Sequence, residues 1–96
     1  MNNINITNEY GYIYGAHGMP KIACINSLYI YKQYRNQGHG TNLIKEFIST
    51  VLKKGCSRII LDDMTDNFNK TNNIYVKLGF RYIDTERGPE MFLNKL

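Results

Sequence analysis

Two glycines and an arginine are spaced as Arg-x-x-Gly-x-Gly at Arg35, Gly38 and Gly40. Glycine lets a backbone approach an anion closely, and the free N–H groups at the start of a helix attract phosphate with the help of the helix dipole. The spacing is therefore typical of a loop that binds phosphate groups. The alternative is a solvated turn whose glycines serve only its geometry.

Carboxylates follow a short apolar run later in the chain. Asp62 and Asp63 come directly after Ile59 to Leu61, and Asp66 is close behind. Because strand-end carboxylates face the crevice of an open α/β sheet, Asp62 is the candidate general base, and Asp63 and Glu90 are candidates for the same acidic mouth. A solvated surface carboxylate is the alternative for each of them.

The cysteines and histidines do not form a metal-binding pattern. Cys24 and Cys56 have neither CxxC spacing nor a set of histidines that would complete a zinc site, so buried, reduced thiols and no metal are predicted. His17 and His39 are interpreted as loop residues. His39 lies between the two glycines of the loop, where the backbone would do the binding.

Three strands are predicted before the glycine loop, over Asn3 to Thr7, Tyr10 to Ala16 and Lys21 to Tyr31. Turn residues separate them, which predicts two hairpins and an antiparallel meander. In the third strand the apolar alternation changes phase around Asn26-Ser27, and this indicates a β-bulge.

An amphipathic helix is predicted from Thr41 to Lys54, directly after the loop. Its apolar residues recur at helical spacing: Leu43, Ile44, Phe47, Ile48, Val51 and Leu52. Gly55 follows the helix, where a left-handed residue can end it. Arg58 to Asp62 is nearly continuously apolar, as expected of a strand that is covered on both faces and parallel to the strand before the helix.

The C-terminal third predicts a short second helix, Asn72 to Leu78, closed by Gly79, and then the strands Phe80 to Asp84 and Glu90 to Leu96. A turn at Arg87-Gly88-Pro89 should make the two strands antiparallel. The predicted fold class is α/β (α+β), with a mixed, mostly antiparallel sheet and two helices.

Length and composition predict one domain over residues 1–96, with 43% hydrophobic and 21% charged residues, as in ordinary globular proteins. No apolar run approaches the roughly 20 residues that cross a bilayer, so no membrane partner is expected. Met1 to Asn5 lacks a basic region followed by an apolar core, and a cytoplasmic location is expected.

The formal net charge of +4 suits a ligand with several phosphates as well as it suits nucleic acid. Lysine and arginine are scattered along the chain, and no nucleic-acid recognition motif is present. No nucleic-acid partner is therefore predicted.

The order of strand, Arg-x-x-Gly-x-Gly loop, amphipathic helix, strand and the segment Tyr75-Val76-Lys77-Leu78-Gly79-Phe80 resembles the GNAT superfamily of N-acetyltransferases. The resemblance covers about Ile22 to Leu96. Gly55-Cys56, Ile59 to Asp62 and Glu90-Met91 are similar to the glucosamine-6-phosphate N-acetyltransferase pattern within it.

The resemblance implies transfer of an acetyl group from acetyl-CoA to a primary amine by direct attack. Small amines, polyamines, aminosugars and peptide amines all remain open as acceptors. The acidic run of Asp62, Asp63 and Asp66 leans toward a cationic acceptor such as a polyamine. The alternative function is a non-catalytic module that binds CoA or another protein.

The resemblance also implies roles for individual residues. Leu28 and Ile30 would offer backbone groups to the pantetheine arm and the acetyl carbonyl, with an N–H near Ile30 as oxyanion donor. The pyrophosphate would lie against a continuous loop: Arg35, Asn36, Gln37, Gly38, His39, Gly40 and Thr41.

Tyr75 matches the family position whose hydroxyl lies near the CoA sulfur and donates a proton to the departing thiolate. The alternative is a ring that packs under the second helix. Many members have an asparagine seven residues before this tyrosine. Phe68 stands there in this sequence, flanked by Asn67 and Asn69. Asn69 is the candidate contact to the cofactor, and Asn67 is the alternative.

The first strand and the pair of N-terminal helices that are usual in the superfamily have no counterpart in this sequence. Those elements ordinarily form much of the acceptor site, and without them a sheet face or edge is expected to be uncovered. A homodimer is therefore predicted. Its candidate surfaces are the strands Asn3 to Thr7 and Glu90 to Leu96.

Overall fold

The computed structural model describes residues 2–18, 21–61, 74–85 and 88–93. The elements in chain order are β1 (Asn2–Asn8), β2 (Gly11–Gly18), β3 (Ile22–Ile30), a 3-10 turn (Lys32–Tyr34), α1 (His39–Lys53), β4 (Arg58–Leu61), α2 (Ile74–Lys77), β5 (Arg81–Thr85) and β6 (Gly88–Leu93). The described strands form one six-stranded sheet in the order β1-β2-β3-β4-β6-β5. Its strands are mostly antiparallel, so the predicted fold class is confirmed.

The first three strands form the predicted antiparallel meander. The β1–β2 turn is held by Asn8, whose side-chain oxygen accepts hydrogen bonds from the N–H groups of Tyr10 at 2.8 Å and Gly11 at 3.2 Å. Asparagine favours such turns because its short side chain bonds the backbone that follows it.

The predicted bulge is confirmed in β3. Tyr14 pairs with Ser27 and Gly15 pairs with Ile25, so Asn26 is the extra residue. Before the bulge, Ala23 and Ile25 are fully buried, and after it the alternation changes phase. The bulge thereby sets which side chains of the C-terminal end of β3 face the core.

The helix α1 packs on the meander with the buried residues Gly40, Leu43, Ile44, Phe47 and Val51. It begins at His39, two residues before the predicted start, because Gly38 already caps it. Leu52 was predicted on the apolar face, and this is wrong. Its side chain is 49% exposed, and Ile48 is only partly buried at the margin of the core.

The predicted strand, helix, strand crossover is confirmed, since β3 pairs with β4 in parallel. The pairing of β5 with β6 is antiparallel, as predicted. Strand β6 begins at Gly88, so the predicted turn at Gly88-Pro89 is wrong for these two residues. The predicted start of α2 at Asn72 and the end of the last strand at Leu96 lie outside the described residues.

Only one of the two candidate edge strands lies at an edge of the described sheet. Strand β1 is an edge, in agreement with Asn3 to Thr7. The last strand is not, because β6 pairs with both β4 and β5 and β5 is the outer strand. That placement of Glu90 to Leu96 is therefore wrong. Among the described residues, no helix has the length and apolarity needed to span a membrane.

Candidate functional site

A cavity of about 550 Å³ opens where the end of β3, the loop before α1 and the helix α2 meet. Its volume falls in the range of small-molecule sites. The described residues that line it are Leu28, Tyr29, Ile30, Tyr34, Arg35, Asn36, Gly38, His39, Gly40, Thr41, Ile74 and Lys77.

The N-terminus of α1 forms one wall of this cavity. The first intrahelical hydrogen bond runs from the N–H of Asn42 to the carbonyl of Gly38 at 3.1 Å. The three preceding N–H groups, from His39 to Thr41, therefore have no helical acceptor. The cap residue contributes no side-chain hydrogen bond, and no acidic residue lies in the first turn. This wall presents donors and the positive end of a dipole, which favour an anion.

The two glycines of the loop are needed for different reasons. Gly38 has a left-handed backbone with φ of +86°, and nothing lies within 4 Å of the place where a Cβ would be. Gly40 is buried, and a Cβ there would lie 3.1 Å from Cδ1 of Ile74 and 3.7 Å from Cγ1 of Ile30. Gly38 sets the turn, and Gly40 lets the first helical turn approach α2 and the end of β3.

Arg35 joins this loop to the strand that precedes it. Its Nε atom donates a hydrogen bond to the carbonyl of Ile30 at 3.0 Å, and its Cζ lies 5.3 Å from the ring centre of Tyr29. Lys77 contributes a second cation from α2. The described lining carries these two cations and no carboxylate, so its charge favours a ligand with several negative charges.

An aromatic cluster holds the other side of the loop. The ring of His39 stacks on Tyr10 at 3.6 Å between centroids, and Tyr34 meets Tyr10 edge-on at 5.0 Å. His39 therefore packs the loop against the β1–β2 turn while it lines the cavity. A hydrogen bond to the Glu9 carboxylate, together with the charge of that carboxylate, raises the pKa of the Tyr10 hydroxyl.

Most of the residues assigned to cofactor binding from the sequence line this one cavity: Leu28, Ile30, Arg35, Asn36, Gly38, His39, Gly40 and Thr41. Gln37 is not among the described lining residues, and its side-chain amide donates to the carbonyl of Gln33 at 3.3 Å.

Sequence reasoning missed four lining residues, Tyr29, Tyr34, Ile74 and Lys77. Lys77 lies inside the segment Tyr75 to Phe80 that carried the family resemblance, so a signal for it was present. The position of Ile74 depends on how α2 docks, which no local pattern reveals.

Tyr75 lies in the hydrophobic core. Its side chain is 8% exposed, and its ring meets Phe80 edge-on at 5.6 Å. Its helical neighbours Ile74 and Lys77 line the cavity, whereas Tyr75 is not among the described lining residues. The packing role that was the alternative for Tyr75 is therefore present in the structure.

Several candidates fall outside the described residues, namely Asp62, Asp63, Asp66, Asn67 and Asn69. Glu90 lies in β6, opposite Ile83. The described residues contain no cluster of histidine, cysteine and acidic side chains that could hold a metal ion. Both thiols are free, and Cys56 is buried while Cys24 is only partly buried.

Comparison with solved structures shows the same fold in proteins of very different sequence. The N-acetyltransferase PaiA of Thermoplasma acidophilum, in complex with coenzyme A, matches all of this chain and 62% of its own, with a TM-score of 0.78 and 21% identity. The anti-CRISPR protein AcrVA5 matches 97% of this chain and 99% of its own, with a TM-score of 0.74 and 21% identity. An acetyltransferase of the GNAT family from Staphylococcus aureus matches 91% of this chain and 60% of its own, with a TM-score of 0.75 and 23% identity.

Sequence comparison identifies the family. The family model described as the acetyltransferase (GNAT) family matches residues 5–80, so the match begins well before Ile22, where the resemblance was placed. The mouse thialysine N-epsilon-acetyltransferase is 36% identical over 64 residues, which are 67% of this chain and 37% of that enzyme. The chain thus spans just over a third of this curated relative, and glucosamine-6-phosphate specificity is not confirmed. The chain belongs to the GNAT acetyltransferase family.

Proposed function

We propose that the protein transfers an acetyl group from acetyl-CoA to a primary amine. The observation that carries the proposal is the cavity at the N-terminus of α1 in a chain of the GNAT family. PaiA, which shares the fold, was solved with coenzyme A. The proposal includes the cytoplasmic location that is expected from the sequence.

The residues of the cavity fit the two parts of acetyl-CoA. The first turn of α1, Arg35 and Lys77 offer N–H donors and positive charge to the phosphates. Leu28 and Ile74 form an apolar part of the cavity lining, and the pantetheine arm would lie against them. A polyanion with an uncharged tail therefore matches the described lining better than a small neutral ligand does.

In the proposed reaction the amine nitrogen attacks the thioester carbonyl, a C–N bond forms and the C–S bond breaks. The backbone N–H near Ile30 would stabilise the oxyanion, a kind of contact that typically contributes about 3 kcal/mol to acyl transfer. Asp62 is proposed to take the proton that the amine loses. Tyr75 is proposed to donate a proton to the departing thiolate.

The burial of Tyr75 favours a second candidate function, a module that binds acetyl-CoA without catalysing transfer. The proposed proton donor is 8% exposed and packs on Phe80. In this alternative the cavity and its cations keep their role, and Tyr75 serves the core alone.

An amine panel tests the proposed transfer. The purified protein is incubated with acetyl-CoA and one acceptor at a time (thialysine, a polyamine, an aminosugar phosphate or a lysine amide), and release of the CoA thiol is followed. Amine-dependent release supports the enzyme. Stabilisation by acetyl-CoA without release from any acceptor supports the binding module.

We further propose a homodimer that pairs through the edge of β1. Among the described strands, β1 pairs only with β2, so its outer backbone groups are available to a second copy. A two-fold axis beside this edge would join the two sheets into one.

A further inference from the structure

The loop that leads into α1 has a backbone that its own sequence holds only weakly. Asn36 and Gly38 both adopt left-handed conformations, with φ of +64° and +86°. The residues from Arg35 to Gly38 are exposed, and the cap of α1 makes no side-chain hydrogen bond. Glycine has the most conformational freedom to lose on folding, and helix ends fray. The first turn of α1 therefore depends on contacts from other parts of the chain.

His39 carries the one side chain between the two glycines of this turn, Gly38 and Gly40. Its ring stacks on Tyr10 with centroids 3.6 Å apart and an interplanar angle of 11°. Tyr34 meets the same ring edge-on at 6.1 Å. His39 and Tyr34 line the cavity, whereas Tyr10 is not among the described lining residues. Tyr10 thus contacts the start of α1 from outside the cavity.

Tyr10 is itself held in place by the β1–β2 turn and by the end of β3. Its N–H donates a hydrogen bond to the side-chain oxygen of Asn8 at 2.8 Å, and its carbonyl accepts one from the N–H of Tyr31 at 2.9 Å. Its ring meets Tyr34 edge-on at 5.0 Å. Both backbone groups and the ring of Tyr10 are therefore engaged, so that the surface on which His39 stacks is fixed relative to the sheet.

The loop is thereby attached to the sheet at two places. Arg35 bonds the carbonyl of Ile30 at 3.0 Å where the loop begins, and His39 stacks on Tyr10 where α1 begins. The two attachments differ in their relation to a ligand. Arg35 lines the cavity and brings a positive charge to it, whereas Tyr10 has neither property. An effect of Tyr10 on phosphate binding would therefore have to pass through His39.

Donors that are fixed before a ligand arrives bind it more tightly, because less conformational entropy is lost on binding. The stacked pair of Tyr10 and His39 supplies this order to the first turn of α1. A favourable aromatic pair typically changes an equilibrium constant by about three- to tenfold. The alternative is that the pair stabilises the fold as a whole and leaves ligand affinity unaffected.

We infer that Tyr10 is a positioning residue for the phosphate site. Through the ring of His39 it holds the first turn of α1 in the conformation that binds the phosphates of the cofactor. This inference rests on the proposed use of acetyl-CoA. It concerns a residue that lies outside both the Arg-x-x-Gly-x-Gly motif and the described cavity lining.

Isothermal titration calorimetry with coenzyme A tests the effect on affinity. We expect Tyr10→Ala to raise the dissociation constant about three- to tenfold, and Tyr10→Phe to restore it, since the ring remains. The matched control is Tyr14→Ala, which also removes a stacked tyrosine. Tyr14 stacks on Tyr12 at 4.5 Å and is not among the described lining residues. This control should bind coenzyme A as the unmodified protein does.

A double-mutant cycle tests whether Tyr10 acts through His39. The variant His39→Ala should also bind coenzyme A more weakly. Adding Tyr10→Ala to it should cause little further loss, because two residues that act as one unit are not additive. Additive losses would show that Tyr10 acts independently of His39, and they would overturn the inference.

Nuclear magnetic resonance of the ligand-free protein measures the positioning itself. Backbone order parameters of the amides of residues 38–41 should fall in Tyr10→Ala and stay unchanged in Tyr10→Phe and Tyr14→Ala. A contribution to global stability alone would leave these order parameters unchanged. If Tyr10→Ala does not fold, His39→Ala breaks the same stacked contact from the side of the helix, and the same fall is required there.

The outcomes separate this inference from the proposed function. If the unmodified protein does not bind coenzyme A, both are wrong. If it binds, and Tyr10→Ala binds equally well with unchanged order parameters, the positioning role of Tyr10 is wrong and the proposed acetyl transfer stands. An equal loss of affinity in Tyr14→Ala would also overturn the inference, because the loss would then not depend on the contact with His39.

Discussion

The Nε atom of Arg35 donates a hydrogen bond of 3.0 Å to the carbonyl of Ile30, the last residue of β3. This bond holds the start of the glycine loop against the end of the strand. The guanidinium is thereby placed at the cavity, which the first turn of α1 also lines. Arg35 thus contributes both to the geometry of the loop and to the positive charge of the site.

Replacing Arg35 should weaken acetyl-CoA binding. We expect Arg35→Ala to raise the dissociation constant about ten- to a hundredfold, since a hydrogen bond that involves a charged group contributes about 1.5–3 kcal/mol. Arg35→Lys should recover only part of the loss, because lysine lacks the planar fork. Isothermal titration calorimetry measures both. Lys32→Ala in the adjacent turn is the control. An equal loss of acetyl-CoA affinity in that variant would mean that the effect of Arg35→Ala comes from net charge alone.

Gly38 and Gly55 form a matched pair for testing the phosphate loop. Both have φ of +86° and open space around the Cα, but Gly55 follows the far end of α1. A valine at either position should cost a similar amount of stability, about 1–2 kcal/mol or more, from backbone strain. Thermal unfolding with millimolar acetyl-CoA should show a stabilising shift in Gly55→Val and none in Gly38→Val. A retained shift in Gly38→Val would place the site elsewhere.

Tyr75→Phe separates chemistry from packing. The ring and its contact with Phe80 can remain, so the affinity for acetyl-CoA should stay nearly unchanged. Loss of the proposed proton donor should lower kcat by about ten- to a thousandfold. Steady-state kinetics with a reactive amine measures this. Full activity in the variant would leave Tyr75 as a core residue only.

The proposed homodimer makes a prediction about mass. Sedimentation equilibrium at micromolar protein should give twice the chain mass of 11.2 kDa. Proline is then substituted at one β1 position at a time. The mass should fall wherever the replaced residue has its N–H group on the outer side of β1, away from β2, because proline cannot donate a hydrogen bond to a second sheet. A monomer that persists with acetyl-CoA present would contradict the dimer.

The sequence predicted most of the fold because its signals are local. The helical spacing of Leu43, Ile44, Phe47 and Val51 fixed α1, and the phase change at Asn26 indicated the bulge. The order of the strands in the sheet could not be predicted from local signals. Insertion of β6 between β4 and β5 depends on which surfaces meet in three dimensions, and the pattern of Glu90 to Leu96 carries no information about its neighbours.

The candidate site was predicted only in part, because local signals locate some of its residues and the docking of elements locates the others. Glycine spacing located the loop, since backbone geometry at Gly38 and close packing at Gly40 both require that residue type. The burial of Tyr75 and the approach of Ile74 and Lys77 follow from the docking of α2 on the core. The ring contacts among Tyr12, Tyr14, Tyr29 and Tyr31 were not predicted, because these four side chains come together only after β2 and β3 have paired.

Amine-dependent release of CoA thiol by the purified protein is the most direct measurement of the proposed acetyl transfer. We predict release that requires both acetyl-CoA and a primary amine, yields one N-acetylated amine per thiol, and disappears in Gly38→Val while Gly55→Val retains it. Binding of acetyl-CoA with no release above the uncatalysed rate, for small amines and lysine peptides alike, would contradict the proposed acetyl transfer.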